Sequence, residues 1–215
     1  MRPLSLPDGP LTVVALGAHP DDIEIGCGGL LLQLARRGDV RVAHLILTGE
    51  QARIREAQSA AEAFSPGAYV DCAGLRDGRV PQIWGDVKDV LHQWSEKFPA
   101  PDLILSPRRE DAHQDHAGLG ALVSTVWRDS VILYYEIPKW DGDVGRPNTY
   151  VALAPGLAEQ KVRLLNEHFP SQRGHDWWDD ELFTSLLRLR GMECRSRYAE
   201  AFTIDKVTLA IGREA

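Results

Sequence analysis

The chain has 215 residues, enough for one domain whose core needs no covalent staples. Its 24 Lys and Arg against 31 Asp and Glu leave a net charge of −7, which argues against a broad phosphate-binding surface and against nucleic acid as main partner. Cys27, Cys72 and Cys194 are too few and too scattered for a disulfide framework or a Cys-x-x-Cys zinc knuckle, and no apolar run reaches the roughly 20 residues of a membrane span.

In chain order, the first β-rich run is TVVALGA (12–18), followed by the acidic stretch GAHPDDIEIGCGG (17–29) and a helical pattern, GGLLLQLARRG. VRVAHLILT (40–48) is the second strand, REAQSAAEAF the second helix, AYVDCAG (68–74) the third strand and DLILSP (102–107) the fourth. SPRREDAHQDHAG (106–118) comes next, then VILYYEIP (131–138), a Gly- and Pro-rich stretch DGDVGRPN, helices through AEQKVRLLNEH and DDELFTSLLRLR, and a closing strand near YAEAFTID. Near-continuous apolar strands alternating with helices imply a mostly parallel central sheet covered on both faces. The expected fold is α/β, a Rossmann-like three-layer sandwich in a single domain spanning 1–215, in which residues 140–215 form a carboxyl-terminal extension that helps wall the pocket. The amino-terminal MRPLSLPDGP lacks the apolar stretch of a signal peptide, so a cytoplasmic protein is expected.

In open sheets of this kind ligands gather beyond the carboxyl ends of the strands, and both unusual clusters fall there. His19, Asp21, Asp22 and Glu24 follow the first strand directly. Helix capping by Asp21 or Asp22 needs only one carboxylate and leaves His19 unexplained. Imidazole nitrogen and carboxylate oxygen instead suit a divalent ion such as zinc, with a neighbouring carboxylate as base on water. In the second cluster His113 and His116 are three apart, on one face of a helical turn, with Asp111 and Asp115 beside them. His19, Asp22 and one of these two histidines make a three-ligand set with an open position. Gly26-Cys27-Gly28-Gly29 is not a G-x-G-x-x-G dinucleotide fingerprint; its small residues serve close packing of helix on sheet. His44, inside a strand, reads as a core histidine.

AHPDDIE (Ala18 to Glu24) and HQDH (His113 to His116) resemble the PIG-L/LmbE-like family of zinc-dependent N-acetyl-sugar deacetylases, marked by A-H-P-D-D-x-E and a later H-x-D-H. Arg53, Glu56 and Ala57 match its R-x-x-E-A element, and HFPSQ (168–172) with YAEAF (198–202) its carboxyl-terminal pattern. The resemblance implies that His19, Asp22 and His116 hold the metal and that Asp21 is general base. His113 would then stabilise the oxyanion or protonate the leaving amine, with Asp115 orienting a histidine. It implies Zn2+, with Fe2+, Co2+ or Mn2+ as alternatives, and a small N-acetylated sugar or conjugate as substrate. A hydrolase of a non-sugar amide and a non-catalytic sugar- or nucleotide-binding domain are the competing readings.

Arg53 is read either as a substrate contact or as a helix-surface ion pair with Glu56. The loop between Thr48 and Arg53 is shorter than in many relatives, which leaves one wall of the pocket open or supplied by another subunit. Trp84, Tyr135, Trp140, Trp177 and Trp178 are candidates for stacking on a sugar, Trp177 and Trp178 foremost. The aromatic segment Val131 to Trp140 is a candidate interface for a homo-oligomer.

Overall fold

The computed structural model describes residues 2–209. Seven strands form one sheet: β1 (Leu11–Gly17), β2 (Val40–Thr48), β3 (Tyr69–Leu75), β4 (Leu103–Pro107), β5 (Val131–Tyr135), β6 (Thr149–Ala152) and β7 (Ala199–Thr203), in the order β3-β2-β1-β4-β5-β7-β6. The first five pair in parallel, while β7 runs antiparallel to both β5 and β6. Six helices cover it: α1 (Asp22–Arg37), α2 (Gln51–Phe64), α3 (Trp84–Lys97), α4 (Gln114–Val126), α5 (Leu157–His168) and α6 (Asp180–Cys194).

Strand β1 is buried on both sides because alternate residues serve two separate cores. Val13 and Ala15 face a layer made by α1, α2, α5 and α6, whereas Val14 and Leu16 face one made by α3 and α4. The three-layer single domain is therefore as expected. Strand order reverses between β1 and β4, so a crevice opens at the carboxyl ends of these two neighbours. That is where both polar clusters emerge.

Several elements differ from expectation. Helix α3, opened by the stacking candidate Trp84, is not among the expected elements, because its buried apolar stripe of Val87, Leu91 and Trp94 is only three residues long. β6 follows the Gly- and Pro-rich stretch as a four-residue edge strand with no buried residue, too short and too mixed to give a period-2 signal. β5 lies between β4 and β7, with Tyr134 and Tyr135 only 2% and 0% exposed, so the expected interface segment is interior except for Trp140, 66% exposed. Tyr135 is no sugar platform either: its hydroxyl donates to the Leu16 carbonyl at 2.6 Å.

The small residues of α1 do pack closely. A Cβ on Gly26 would lie 2.1 Å from the Tyr135 ring, one on Gly28 2.7 Å from Phe64, and one on Gly29 2.8 Å from Leu153.

Candidate active site

The chain leaves β1 at Gly17 and enters α1 at Asp22, and this turn brings His19, Asp21 and Asp22 into the crevice, all nearly fully buried. Asp21 occupies the helix-capping position but makes no side-chain capping bond, which removes the capping explanation for it. Its φ of 104° is a left-handed conformation that a non-glycine residue adopts at a cost of about 1–3 kcal/mol. That strain turns the carboxylate away from the helix and into the site. Oδ2 accepts from the Arg53 guanidinium at 2.8 Å, and Oδ1 has no hydrogen-bond partner.

Arg53 reaches this carboxylate because only Gly49 and Glu50 separate β2 from α2, so the first turn of α2 stands directly beside the crevice. It also donates to the Pro20 carbonyl. The alternative pairing with Glu56 does not form; Glu56 instead accepts from the backbone N–H and hydroxyl of Ser171 at 2.9 and 2.5 Å.

The second cluster follows β4. His113 caps α4, its Nδ1 accepting from the Asp115 N–H at 3.3 Å, which leaves Nε2 to carry the ring proton. His116 lies inside the first turn of α4, with Nδ1 3.0 Å from Asp111 Oδ1. His19 turns Nε2 toward Asp77 Oδ1 (3.1 Å) and Asp115 Oδ2 (3.4 Å). His116 and His19 each thus commit one nitrogen to a carboxylate, which fixes the proton there and the lone pair on the other.

Those other nitrogens meet. His19 Nδ1 and His116 Nε2 are 3.1 Å apart, and Asp22 lies 3.3 Å from the first through Oδ2 and 3.2 Å from the second through Oδ1. Three acceptors facing one another repel unless a proton or a cation lies between them. Their spacing also matches the roughly 3.3 Å edge of a tetrahedron with metal bonds of about 2.0–2.1 Å. The donor set therefore fits a divalent ion with an open position. His113 brings a ring nitrogen within 4.8 Å of the two other histidine nitrogens, and Asp77 and Asp115 form a second donor group with His19. Sequence reasoning singled out neither Asp77 nor the role of Asp111 on His116, and it gave Asp115 only in outline. Asp115 is anchored by the N–H groups of Gly78 and Val80 and faces His19.

The buried carboxylates draw positive charge toward this point. Burial works against charge on His19 and His116, but the Asp22 carboxylate and the flanking hydrogen-bonded carboxylates raise them to about 11 and about 9. Burial raises Asp21, partly offset by Lys139 and Arg53, whereas Asp22 is held well below the usual range despite its burial by His116, Lys139 and His19. Lys139, from the segment after β5, was not anticipated at all. Its Nζ sits 3.3 Å from Asp22 Oδ1 and 3.5 Å from Asp21 Oδ1.

The two expected tryptophans separate. The Trp177 ring lies 5.1 Å from Lys139 Nζ and stacks on His175. Trp178 points its indole N–H at Asn166 and packs between Phe169 and Phe183, a core position rather than a sugar-facing one.

A sheet that reverses strand order beneath converging histidines and carboxylates defines an α/β protein with a metal-ligand type of site at the switch point. Residues 14–127 match the model of the PIG-L family, GlcNAc-PI de-N-acetylase, and the chain belongs to that family of metal-dependent deacetylases. The chain is similar to an Escherichia coli protein described as "Uncharacterized deacetylase YaiS", 26% identical over 174 residues, 73% of this chain and 89% of that protein. Among solved structures it resembles the N,N'-diacetylchitobiose deacetylase of Pyrococcus horikoshii, with a TM-score of 0.69 and 20% identity over 90% of this chain and 83% of that one. It also resembles GalB, the 4-carboxy-2-hydroxymuconate hydratase of Pseudomonas putida, with a TM-score of 0.68 and 18% identity over 94% of this chain and all of that one. Such likenesses define the fold, which hosts more than one chemistry.

Proposed function

We propose that the protein is a zinc-dependent N-deacetylase that hydrolyses the acetamide of an amino sugar or sugar conjugate, giving acetate and a free amine. The observation that carries this reading is Asp21, buried and strained beside three converging ligands, with Oδ2 tied to Arg53 and Oδ1 free of hydrogen bonds, 3.5 Å from the Lys139 ammonium. Position and freedom of that oxygen are what a general base requires.

His19, Asp22 and His116 would hold the cation. When bound, zinc supplies Lewis acidity to the amide carbonyl and lowers the pKa of water to about 7. Asp21 takes a proton from the water that adds to the carbonyl carbon. His113, with its proton on Nε2, donates to the carbonyl oxygen as it gains charge, and the C–N bond breaks as Asp21 passes the proton it took from water to the departing amine. Asp115 keeps His19 in the correct tautomer, as Asp111 does for His116. Arg53 fixes Asp21 and borders the substrate, while Trp177, stacked on His175 and faced by the Lys139 ammonium, backs the site through that lysine, with Trp178 behind it at 5.4 Å between centroids. On this reading the segment 140–215 contributes a wall of the pocket, and the enzyme works on a small molecule in the cytoplasm.

The test pairs metal analysis with acetate release from N-acetylglucosamine, N,N'-diacetylchitobiose and N-acetylated amino acids. Stoichiometric zinc is expected, with turnover on the sugars that Asp21→Ala abolishes while metal is kept. Full activity without metal, or no acetate from any amide, would overturn the reading.

A further inference from the structure

Lys139 lies outside the matched family segment, yet its ammonium touches the carboxylates of both Asp21 and Asp22, and its side chain is only 13% exposed. Resting on the deacetylase reading above, we propose that Lys139 is a catalytic residue whose ammonium donates a hydrogen bond to the acetamide oxygen as that oxygen becomes negative.

Asp21 is already matched by Arg53 at 2.8 Å. Asp22 already accepts from the His19 N–H at 2.8 Å and faces both imidazoles. With Asp22 turned to a divalent cation, the ammonium of Lys139 shares Asp21 with the Arg53 guanidinium, so two cations face one carboxylate. A buried positive charge in excess is costly in the resting site and becomes favourable only when negative charge develops next to it. That is the condition for stabilising a transition state more than a substrate.

A donor accelerates a reaction only if it is fixed beforehand, and the segment that carries Lys139 is held rigidly. Glu136, three residues earlier, is gripped by Arg190 through two bonds of 2.7 Å in the interior. Ile137 is 3% exposed. Beyond it, the Trp177 ring takes the ammonium on its face at 5.1 Å, an arrangement that holds a cation without neutralising it. The side chain therefore enters from the end of β5, next to β4 in the sheet, and meets the groups that leave β1.

Lys139→Met separates this role from that of a structural strut, because two readouts move in opposite senses. Turnover of whichever acetylated sugar the wild type hydrolyses is expected to fall about 100-fold or more in kcat, with KM within about threefold. Lys139→Arg keeps the cation and is expected to recover part of the loss. Zinc affinity, measured by competition against a chromophoric chelator, is expected to stay equal or to rise, since a cation competing for Asp21 and Asp22 has gone. Unchanged kcat in Lys139→Met overturns the proposal while leaving the deacetylase reading intact. So does weaker zinc binding that accounts for the lost turnover, or a fall in Tm shared equally by Lys139→Arg. If the wild type releases no acetate from any amide, the deacetylase reading fails and this role falls with it.

Discussion

Lys161 Nζ lies 2.6 Å from Glu200 Oε1, and both side chains are almost completely buried. They meet where α1 leaves helical geometry at Cys27, with φ −141° and ψ 20°. Such a break strips backbone groups of their helical partners. Glu200 accepts the N–H groups of Gly29 and Leu30 at 2.7 Å each, and Lys161 donates to the Ile25 carbonyl at 2.6 Å. The first turn of α1, which carries Asp22, is thereby oriented by residues far along the chain. Either Lys161→Met or Glu200→Ala alone is expected to cost about 3–5 kcal/mol in denaturant unfolding, because each leaves a buried charge unpaired. The double variant Lys161→Met with Glu200→Leu should cost less than the sum.

Asp111 is expected to act through His116. It holds Nδ1 at 3.0 Å and also accepts the His113 N–H at 2.9 Å, so one carboxylate sets both histidines of the second cluster. Asp111→Ala should weaken zinc binding about 10–100-fold in chelator competition. Asp111→Asn, whose amide oxygen still accepts, should weaken it less. Equal zinc affinity in wild type and Asp111→Ala would show that His116 is oriented by packing alone.

Much of this site was legible because its chemistry is concentrated at two strand ends. His19, Asp22 and His116 stand in two short motifs after β1 and β4, and the near-continuous apolar strands made those ends recognisable. What escaped were partners that reach the site from distant elements one residue at a time. Lys139 follows β5 with no accompanying pattern, and Asp77 sits in a turn after β3 that reads like any acidic surface loop. Arg53 was noticed, but its choice between Asp21 and Glu56 depends on how α2 lies against the crevice, which no spacing encodes. Trp178 looked equivalent to Trp177, and both are buried in one core, but only the Trp177 ring also reaches Lys139.

Gly26 tests the close packing of α1 on the sheet. Replacing glycine by alanine inside an exposed helix normally stabilises by about 1 kcal/mol. Here the added methyl would meet Tyr135 at 2.1 Å, and that ring is fully buried with its hydroxyl bonded to Leu16. Gly26→Ala is therefore expected to destabilise by about 1–3 kcal/mol through overpacking, read as a lower Tm. Because Tyr135 ends β5 and Asp22 begins α1, zinc affinity should fall as well. A stabilised variant would mean that the helix can move off the sheet freely.

His44 predicts a pH dependence of folding that is separate from the active site. It lies inside β2, 1% exposed, with neither ring nitrogen hydrogen-bonded. Burial disfavours its charged form and lowers it to about 4 from the usual 6.5. The unfolded chain thus takes up a proton near pH 6.5 that the folded chain refuses until about pH 4. The contribution of this group is fully present above pH 6.5 and is lost as pH falls toward 4, by up to roughly 3 kcal/mol. Urea unfolding of wild type and His44→Leu at pH 7, 5.5 and 4.5 isolates it: the stability of wild type relative to the variant should decline across that series. A difference independent of pH would mean that protonated His44 is accommodated inside the protein, with Glu24 Oε1, 3.7 Å away, as its counter-charge.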